Sequence, residues 1–147
     1  MGTTHGATSF QNIVVGVSDA ETSRIAGRAA VELAQATGGT VHFVTAVTDG
    51  ERAVIEVGSD RYVLDTVEIA RVAVQRFVES LGISVAYTVQ AVEQSPAKAL
   101  VSVAELLDAD LIVVGNVRMQ GLGRVLGSVG NDVAHTAPCS VLIVKTV

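Results

Sequence analysis

The sequence predicts an α/β protein built on a doubly wound, five-stranded parallel sheet. Short runs rich in valine alternate with longer stretches rich in alanine, and the 147 residues include 28 valines and 19 alanines. Unbroken β-branched runs are typical of parallel strands buried on both faces, and alanine-rich stretches are typical of helices packed closely on them. A length near 150 residues suits one domain, and a hydrophobic content of 49% excludes intrinsic disorder.

The first half of the chain contains two predicted strands and two predicted helices. Residues 12–17 form a short apolar β-branched run that is predicted to be a strand, and residues 41–47 are predicted to be a second strand. Between them, apolar residues recur with helical spacing from Ile25 to Ala34, and Gly38-Gly39 ends that helix. The stretch from Thr48 to Asp60 mixes charges with glycines and is predicted to be a loop. A long helix is predicted from Arg61, with Gly82 as its end.

The second half continues the alternation. Residues 83–91 are predicted as the third strand, and Ser95-Pro96 has the N-cap and first-turn proline that open a helix through Leu107. The remaining elements are a fourth strand at 111–115, a helix at about 128–136 and a last strand at 140–145. Strict β-α alternation predicts a parallel sheet with right-handed crossovers.

Composition narrows the class of function. Ten basic and fifteen acidic residues give a net charge of −5, which argues against binding to nucleic acid. No apolar run reaches the 18 or more residues that span a membrane, and a single cysteine suits a reducing compartment. Residues 1–9 are small and polar, without the apolar segment of a signal peptide. We therefore expect a disordered tail at 1–9, one domain at 10–147, and a cytoplasmic location.

The richest candidate site is a glycine-rich loop after the fourth strand. Five of the chain's 14 glycines lie in residues 115–130, and residues 111–131 contain two arginines and no acid. Ligands of doubly wound sheets bind beyond the carboxyl ends of the strands. Glycines and a helix N-terminus together present backbone N–H groups to an anion, which predicts a phosphate site. The alternative is that the loop only connects two elements and that Ser128 is an ordinary N-cap.

Three motifs in this order resemble the universal stress protein family. The loop from Gly115 to Gly127-Ser128 is similar to the family's phosphate-binding signature, in which Gly-x-x-Gly, about nine residues and Gly-Ser/Thr wrap a nucleotide. Val15 to Ser23 is similar to the family's Val-Gly-Val-Asp-Gly-Ser-x-x-Ser, and Ala137 to Val144 looks like its last strand. The resemblance spans about residues 10–147. It implies a Rossmann-like sheet with strand order 3-2-1-4-5 and an adenine-nucleotide site.

Two departures from the family pattern fall in that site. The ATP-binding members have an aspartate after the first strand for the ribose hydroxyls, whereas this chain has Ser18 there and Asp19 next to it. Arg118 stands where the signature has its second glycine, and the loop is one residue shorter. The nucleotide-binding residues that the resemblance and the loop chemistry imply are Ser18, Asp19, Val47, Gly115, Asn116, Arg118, Arg124, Gly127, Ser128 and Val129. Among them, Val47 is expected to pack against the adenine.

Several of these residues have a simpler interpretation. Asp19 is equally suited to be the N-cap of the first helix, and Arg118 and Arg124 to be solvated loop side chains. Cys139 is expected to be a packing residue rather than a nucleophile, and His5, His42 and His135 lack the spacing of a metal site. His42 is expected to point into solvent or a helix interface. No catalytic residue and no metal site are predicted, and Mg²⁺ is expected only with a bound nucleotide.

The leading hypothesis is a regulatory stress-response protein that binds ATP or another adenine nucleotide without substantial turnover. Family members pair through the last strand, so Ser140–Val144 is predicted to form the seam of a homodimer. The alternative is a dimeric interaction module that has lost its nucleotide, which Ser18 and the shortened loop favour. A weak ATPase or self-phosphorylating enzyme lacks an identifiable general base. The protein partner that reads the bound state is not evident from the sequence.

Overall fold

The computed structural model describes residues 9–18, 20–48, 52–116 and 127–146. Of the predicted tail at 1–9, all but Ser9 lies outside the described residues. The elements, in chain order, are β1 (Asn12–Gly16), α1 (Ala20–Thr37), β2 (Thr40–Ala46), β3 (Arg52–Val57), β4 (Asp60–Asp65), α2 (Thr66–Ser80), β5 (Ala86–Val92), α3 (Pro96–Leu107), β6 (Leu111–Gly115), α4 (Ser128–Thr136) and β7 (Ser140–Val144).

The main sheet has five parallel strands in the order β5-β2-β1-β6-β7. Numbered among themselves, these strands stand in the order 3-2-1-4-5, so the predicted fold class and topology are confirmed. The strand order reverses between β1 and β6. Such a switch point opens a crevice at the carboxyl ends of the two strands. β5 begins at Ala86, three residues later than the sequence indicates.

Two apolar cores lie on opposite faces of this sheet. On one face α1 and α2 cover Ile13, Val15 and Phe43, each of them fully buried. On the other face α3 and α4 cover the alternate residues, among them Val14 and Ile112. This alternation explains why the central strands β1 and β6 are almost wholly apolar, since both of their faces are buried. Within the described ranges, no helix is both long and apolar enough to cross a membrane.

The segment between β2 and α2 differs from the prediction. The loop predicted from Thr48 to Asp60 contains β3, and the helix predicted from Arg61 begins only at Thr66 because β4 comes first. β3 and β4 form a separate antiparallel hairpin that turns at Gly58-Ser59, a glycine-serine pair of the kind that favours tight hairpins. Asp65 then caps α2, because its Oδ1 accepts hydrogen bonds from the N–H groups of Val67 (3.0 Å) and Glu68 (3.3 Å).

The predicted ends of the first two helices are confirmed. Gly38 follows α1 with φ 73°, and its N–H donates to the carbonyl of Ala34 at 2.8 Å. Gly82 follows α2 with φ 62°. Both glycines hold the left-handed conformation that ends a helix at little steric cost.

Candidate functional site

A cleft of about 300 Å³ opens at the carboxyl ends of β1, β2 and β6, at the switch point of the sheet. Its walls come from these three strand ends and from the first turns of α1, α3 and α4. The lining residues are Gly16, Val17, Ser18, Thr22, Val44, Thr45, Ala46, Pro96, Ala99, Leu100, Val114, Gly115 and Val129.

Most of the lining is apolar, and two strand-end glycines keep it open. A Cβ on Gly16 would lie 3.2 Å from Leu100 Cδ1. A Cβ on Gly115 would lie 2.6 Å from Thr22 Cγ2 and 2.9 Å from Thr146 Cγ2, closer than carbon atoms approach without a shift. Small side chains at these points therefore leave a slot between α3 and the strand ends. A slot of this shape and polarity suits a flat, weakly polar group such as a purine base.

The polar side chains among the described lining residues are three hydroxyls, those of Ser18, Thr22 and Thr45. Hydrogen bonds on both sides fix the backbone that carries Ser18. The N–H of Val17 donates to the carbonyl of Val44 at 2.8 Å, and the N–H of Ser18 donates to Oγ of Ser23 at 2.8 Å. Ser23 is only 2% exposed, whereas Ser18 is exposed to the cleft. The Ser18 hydroxyl is thus presented to a ligand from a rigid support.

Electrostatic attraction for an anion comes from the helices. Thr22, Pro96 and Val129 lie in the first turns of α1, α3 and α4, so three helix N-termini meet at this cleft. The first turn of a helix has N–H groups without partners inside the helix, and it carries a partial positive charge of about half a unit. Among the described residues, no charged side chain lines the cleft. The described part of the site therefore attracts anions through backbone dipoles rather than through basic side chains.

The structure brings three of the predicted site residues, Ser18, Gly115 and Val129, into this cleft. Four others are described but lie outside its lining: Val47, Asn116, Gly127 and Ser128. Val47 follows β2 directly after the lining residue Ala46, and its N–H donates to the carbonyl of Val92 at 2.8 Å. The remaining three, Asp19, Arg118 and Arg124, lie outside the described residues.

Asn116 has a structural role that the sequence did not indicate, and the backbone of Gly127 lacks the left-handed conformation that would require a glycine. Oδ1 of Asn116 accepts hydrogen bonds from the N–H of Thr146 (2.8 Å) and from its hydroxyl (2.9 Å). That oxygen therefore holds the chain after β7 against the end of β6. Gly127 precedes α4 with φ −59° and ψ 156°, a conformation open to any residue, so its backbone does not require glycine.

Sequence reasoning missed Thr22, Thr45 and the α3 contribution of Pro96, Ala99 and Leu100. A signal for α3 was available. The Ser95-Pro96 start places the N-terminus of this helix after β5, and the crossover back to β6 must carry it over the switch point. Thr22 and Thr45 were harder to identify as site residues, because threonine is common in the first turns of helices and at strand ends.

Two titratable groups away from the cleft are structural. Burial, and secondarily the negative charge of Asp110, raises the pKa of the Cys139 thiol, which keeps it protonated and unreactive at neutral pH. His42 is 6% exposed and does not point into solvent. Its Nδ1 lies 2.7 Å from Thr88 Oγ1 and its Nε2 lies 3.1 Å from Asn12 Oδ1, so it links β2 to both neighbouring strands. Among the described residues, no three metal-binding side chains lie together.

Comparison with known proteins settles the family. Residues 9–145 match the sequence model of the universal stress protein family. The chain belongs to the universal stress protein family. A universal stress protein of Synechocystis is 36% identical over 84 residues, which cover 56% of this chain and 72% of that protein.

Two further curated relatives match over shorter stretches. A universal stress protein of Methanothermobacter thermautotrophicus is 44% identical over 55 residues, 37% of this chain and 38% of that protein. One from Mycobacterium tuberculosis is 49% identical over 53 residues, 35% of this chain and 36% of that protein. The matched part of the chain thus spans less than two fifths of the length of these two relatives.

Solved structures of the family share the fold over nearly the whole chain. A crystal structure of a universal stress protein in complex with cAMP superposes with a TM-score of 0.68 at 28% identity, covering 94% of this chain and 98% of that one. The structure of the Archaeoglobus fulgidus universal stress protein in complex with dAMP has a TM-score of 0.64 at 23% identity, covering 90% and 96%. The second likeness establishes the common fold.

Proposed function

We propose that this universal stress protein is a regulatory protein that binds an adenine nucleotide in the cleft at the switch point of its sheet. The observation that carries the proposal is the convergence of three helix N-termini on one largely apolar slot. The apolar walls suit the base, and the helix ends suit the phosphates. Complexes of two family members with cAMP and dAMP support the choice of an adenine nucleotide.

In the proposed complex, the base packs between Ala46, Ala99 and Leu100, and the Ser18 hydroxyl faces the ribose. The phosphates lie at the start of α4, beside Val129. ATP is the proposed ligand, and Mg²⁺ enters only with it. Occupancy of the cleft, rather than turnover, is the proposed signal.

The proposed assembly is a homodimer through Ser140–Val144. β7 is an edge strand of the main sheet, paired only with β6 within it. Leu142 on this strand is 36% exposed. An exposed edge strand with apolar side chains is a template for pairing with a second chain unless something covers it.

A charge change at Val129 tests the phosphate position. Val129→Glu adds a carboxylate to the first turn of α4, where an acidic residue is favourable for the helix but repels a phosphate. Val129→Gln is the matched control, because it has the same size and lacks the charge. We expect titration calorimetry with ATP to show at least about tenfold weaker binding for the glutamate variant than for the glutamine variant, which corresponds to about 1.4 kcal/mol.

Equal affinities of the two variants for ATP would show that no phosphate lies at the start of α4. Absence of ATP, AMP and cAMP binding in the wild type would favour the second candidate, an interaction module without a nucleotide. The observation that favours this candidate is the lack of a charged side chain in the described lining. Native mass spectrometry of the freshly purified protein separates the two functions, because it reports both a retained nucleotide and the number of chains.

A further inference from the structure

The hairpin of β3 and β4 carries most of the exposed apolar side chains of the described chain. Among all described residues, nine large apolar side chains are at least 36% exposed. Five of these nine belong to the hairpin: Val54, Ile55, Val57, Tyr62 and Val63. The hairpin is a separate two-stranded sheet and does not extend the main one. A two-stranded hairpin is marginally stable in water unless another element packs on it.

Both faces of the hairpin are open. In an antiparallel pair, directly opposed residues point to the same face. Val54 opposes Val63 on one face, and Ile55 opposes Tyr62 on the other. Val54 and Val63 are 46% and 57% exposed, and Ile55 and Tyr62 are 44% and 52% exposed. The body of the protein therefore covers neither face.

The two faces differ in charge. Next to the valine pair, Glu56 directly opposes Arg61 and therefore lies on the same face. In the part of the chain that the structure describes, the one ion pair joins Glu68 and Arg71, so Glu56 and Arg61 do not form one with each other. The valine face thus presents two apolar side chains and two unpaired charges of opposite sign, one on each strand.

This arrangement is complementary to itself. If a two-fold axis runs parallel to the strands between two stacked hairpins, β3 of one copy lies over β4 of the other at the same level. Val54 then meets Val63 of the second copy, and Glu56 meets Arg61 of the second copy, each twice by symmetry. An isologous interface requires this kind of self-matching pattern. If two copies stacked through the opposite face instead, Val57 of one copy would meet Asp60 of the other, and an apolar side chain does not complement a carboxylate.

We propose that the valine face of the β3–β4 hairpin is a docking surface for a second copy of this chain. Val54 and Val63 form its apolar centre, and Glu56 and Arg61 form two reciprocal ion pairs across it. This surface is distinct from β7. The hairpin leads from β2 into α2, which packs on β5 and β2, whereas β7 closes the opposite edge of the main sheet.

Charge exchange tests the surface. Glu56→Arg leaves two positive charges on the face and Arg61→Glu leaves two negative ones, so each variant repels its own copies. We expect sedimentation velocity at tens of micromolar to show half the wild-type mass for each variant alone, with a dissociation constant at least about tenfold higher. An equimolar mixture of the two variants should recover the wild-type mass, because the two positive charges of one chain then face the two negative charges of the other.

The mixture distinguishes contact between chains from an effect on the hairpin itself. Each variant keeps its own like-charge pair in the mixture, so recovery of mass requires pairing across chains. The control is Glu32→Arg, the same charge change at an exposed position on α1, which should keep the wild-type mass. Circular dichroism of each variant checks that the fold is retained.

The outcome is independent of the proposed β7 seam. With both surfaces active, the wild type exceeds a dimer and each variant falls to a dimer. With the hairpin alone active, the wild type is a dimer and each variant is a monomer. Wild-type mass in both single variants, or a mixture that stays at half the wild-type mass, would overturn the docking surface.

Discussion

Replacing Ser18 by aspartate should strengthen nucleotide binding at least about tenfold. The backbone at this position is fixed by the hydrogen bonds of Val17 to Val44 and of Ser18 to Ser23, both 2.8 Å, and the side chain is exposed to the cleft. We therefore expect an aspartate at this exposed position to face the cleft as the serine does. Its carboxylate is able to accept charge-assisted hydrogen bonds from both ribose hydroxyls, whereas the serine hydroxyl accepts without the charge.

The expected magnitude follows from these hydrogen bonds. A hydrogen bond to a charged group contributes about 1.5–3 kcal/mol net, which corresponds to about 10- to 150-fold in the dissociation constant. Repulsion between the new carboxylate and the phosphates opposes this gain. The phosphates lie at the α4 end of the proposed complex and the ribose separates the two charges, so solvent and salt screen the repulsion. The net result is a gain near the lower end of the range.

Titration calorimetry with ATP and with 2′-deoxy-ATP checks this reasoning. Ser18→Asn is the control, because asparagine matches aspartate in size and accepts a hydrogen bond without the charge. We expect Ser18→Asp to bind ATP at least about tenfold more tightly than Ser18→Asn, and to lose much of that advantage with the deoxy ligand. If aspartate and asparagine bind ATP equally, residue 18 does not face the ribose.

Three further predictions concern packing, assembly and pH. Gly115→Ala places a Cβ 2.6 Å from Thr22 Cγ2 and should lower the free energy of unfolding, measured in urea titrations, by about 1–3 kcal/mol. An unchanged free energy of unfolding would show that the threonine side chain moves aside freely. Leu142→Lys should lower the mass of the assembly in light scattering, because a lysine blocks pairing at the edge strand. The control is Leu106→Lys on α3, where the side chain is 79% exposed, and it should keep the wild-type mass. Equal masses of the two variants would exclude β7 as the dimer interface. Burial lowers the pKa of His42 in the folded state, so the unfolded chain takes up a proton at a higher pH than the folded chain does. The free energy of unfolding should therefore fall as the pH drops below about 6.5, by at most about 1.4 kcal/mol per pH unit. Urea titrations over this pH range should show no such component for His42→Gln.

The core of the fold was predictable because its central strands are buried on both faces. Runs such as Ile13-Val14-Val15 contain no polar residue, and each member is fully buried in one of the two cores. Helix ends were predictable where a glycine adopts the left-handed conformation, as at Gly38. Burial and backbone sterics thus act locally enough to leave a pattern in the sequence.

The hairpin was not predictable by the same pattern. Its residues alternate with charges and lie exposed on both faces, so no buried side marks β3 or β4. The Gly58-Ser59 turn was the available signal. It was weakened by the neighbouring charges, which are equally typical of a loop. The start of α2 was misplaced for the same reason, since Tyr62 and Val63 continue the helical apolar spacing backwards into β4.

The candidate site was partly predictable because topology fixes its place but not its lining. The switch point brings Ser18 and Gly115 together, as the strand order implies. The contributions of Ala99 and Leu100 depend on how closely α3 packs on β1 and β2, which no motif records. Asn116 follows the fourth strand as a ligand residue would, yet its oxygen is used by Thr146, a residue 30 positions away.

In the proposed complex, the ribose is the part of the nucleotide that the described residues of the cleft bind most weakly. Ala46 and Leu100 provide apolar walls for the base, and the N-terminus of α4 provides N–H groups for the phosphates. Among the described residues, the ribose of the proposed complex meets only the uncharged hydroxyl of Ser18, where the ATP-binding members that this chain resembles have an aspartate. Because backbone dipoles attract any phosphate, they do not by themselves distinguish one nucleotide from another. We therefore expect the proposed site to discriminate between nucleotides mainly by the fit of the base, and to tolerate a 2′-deoxy ligand better than members with the aspartate do.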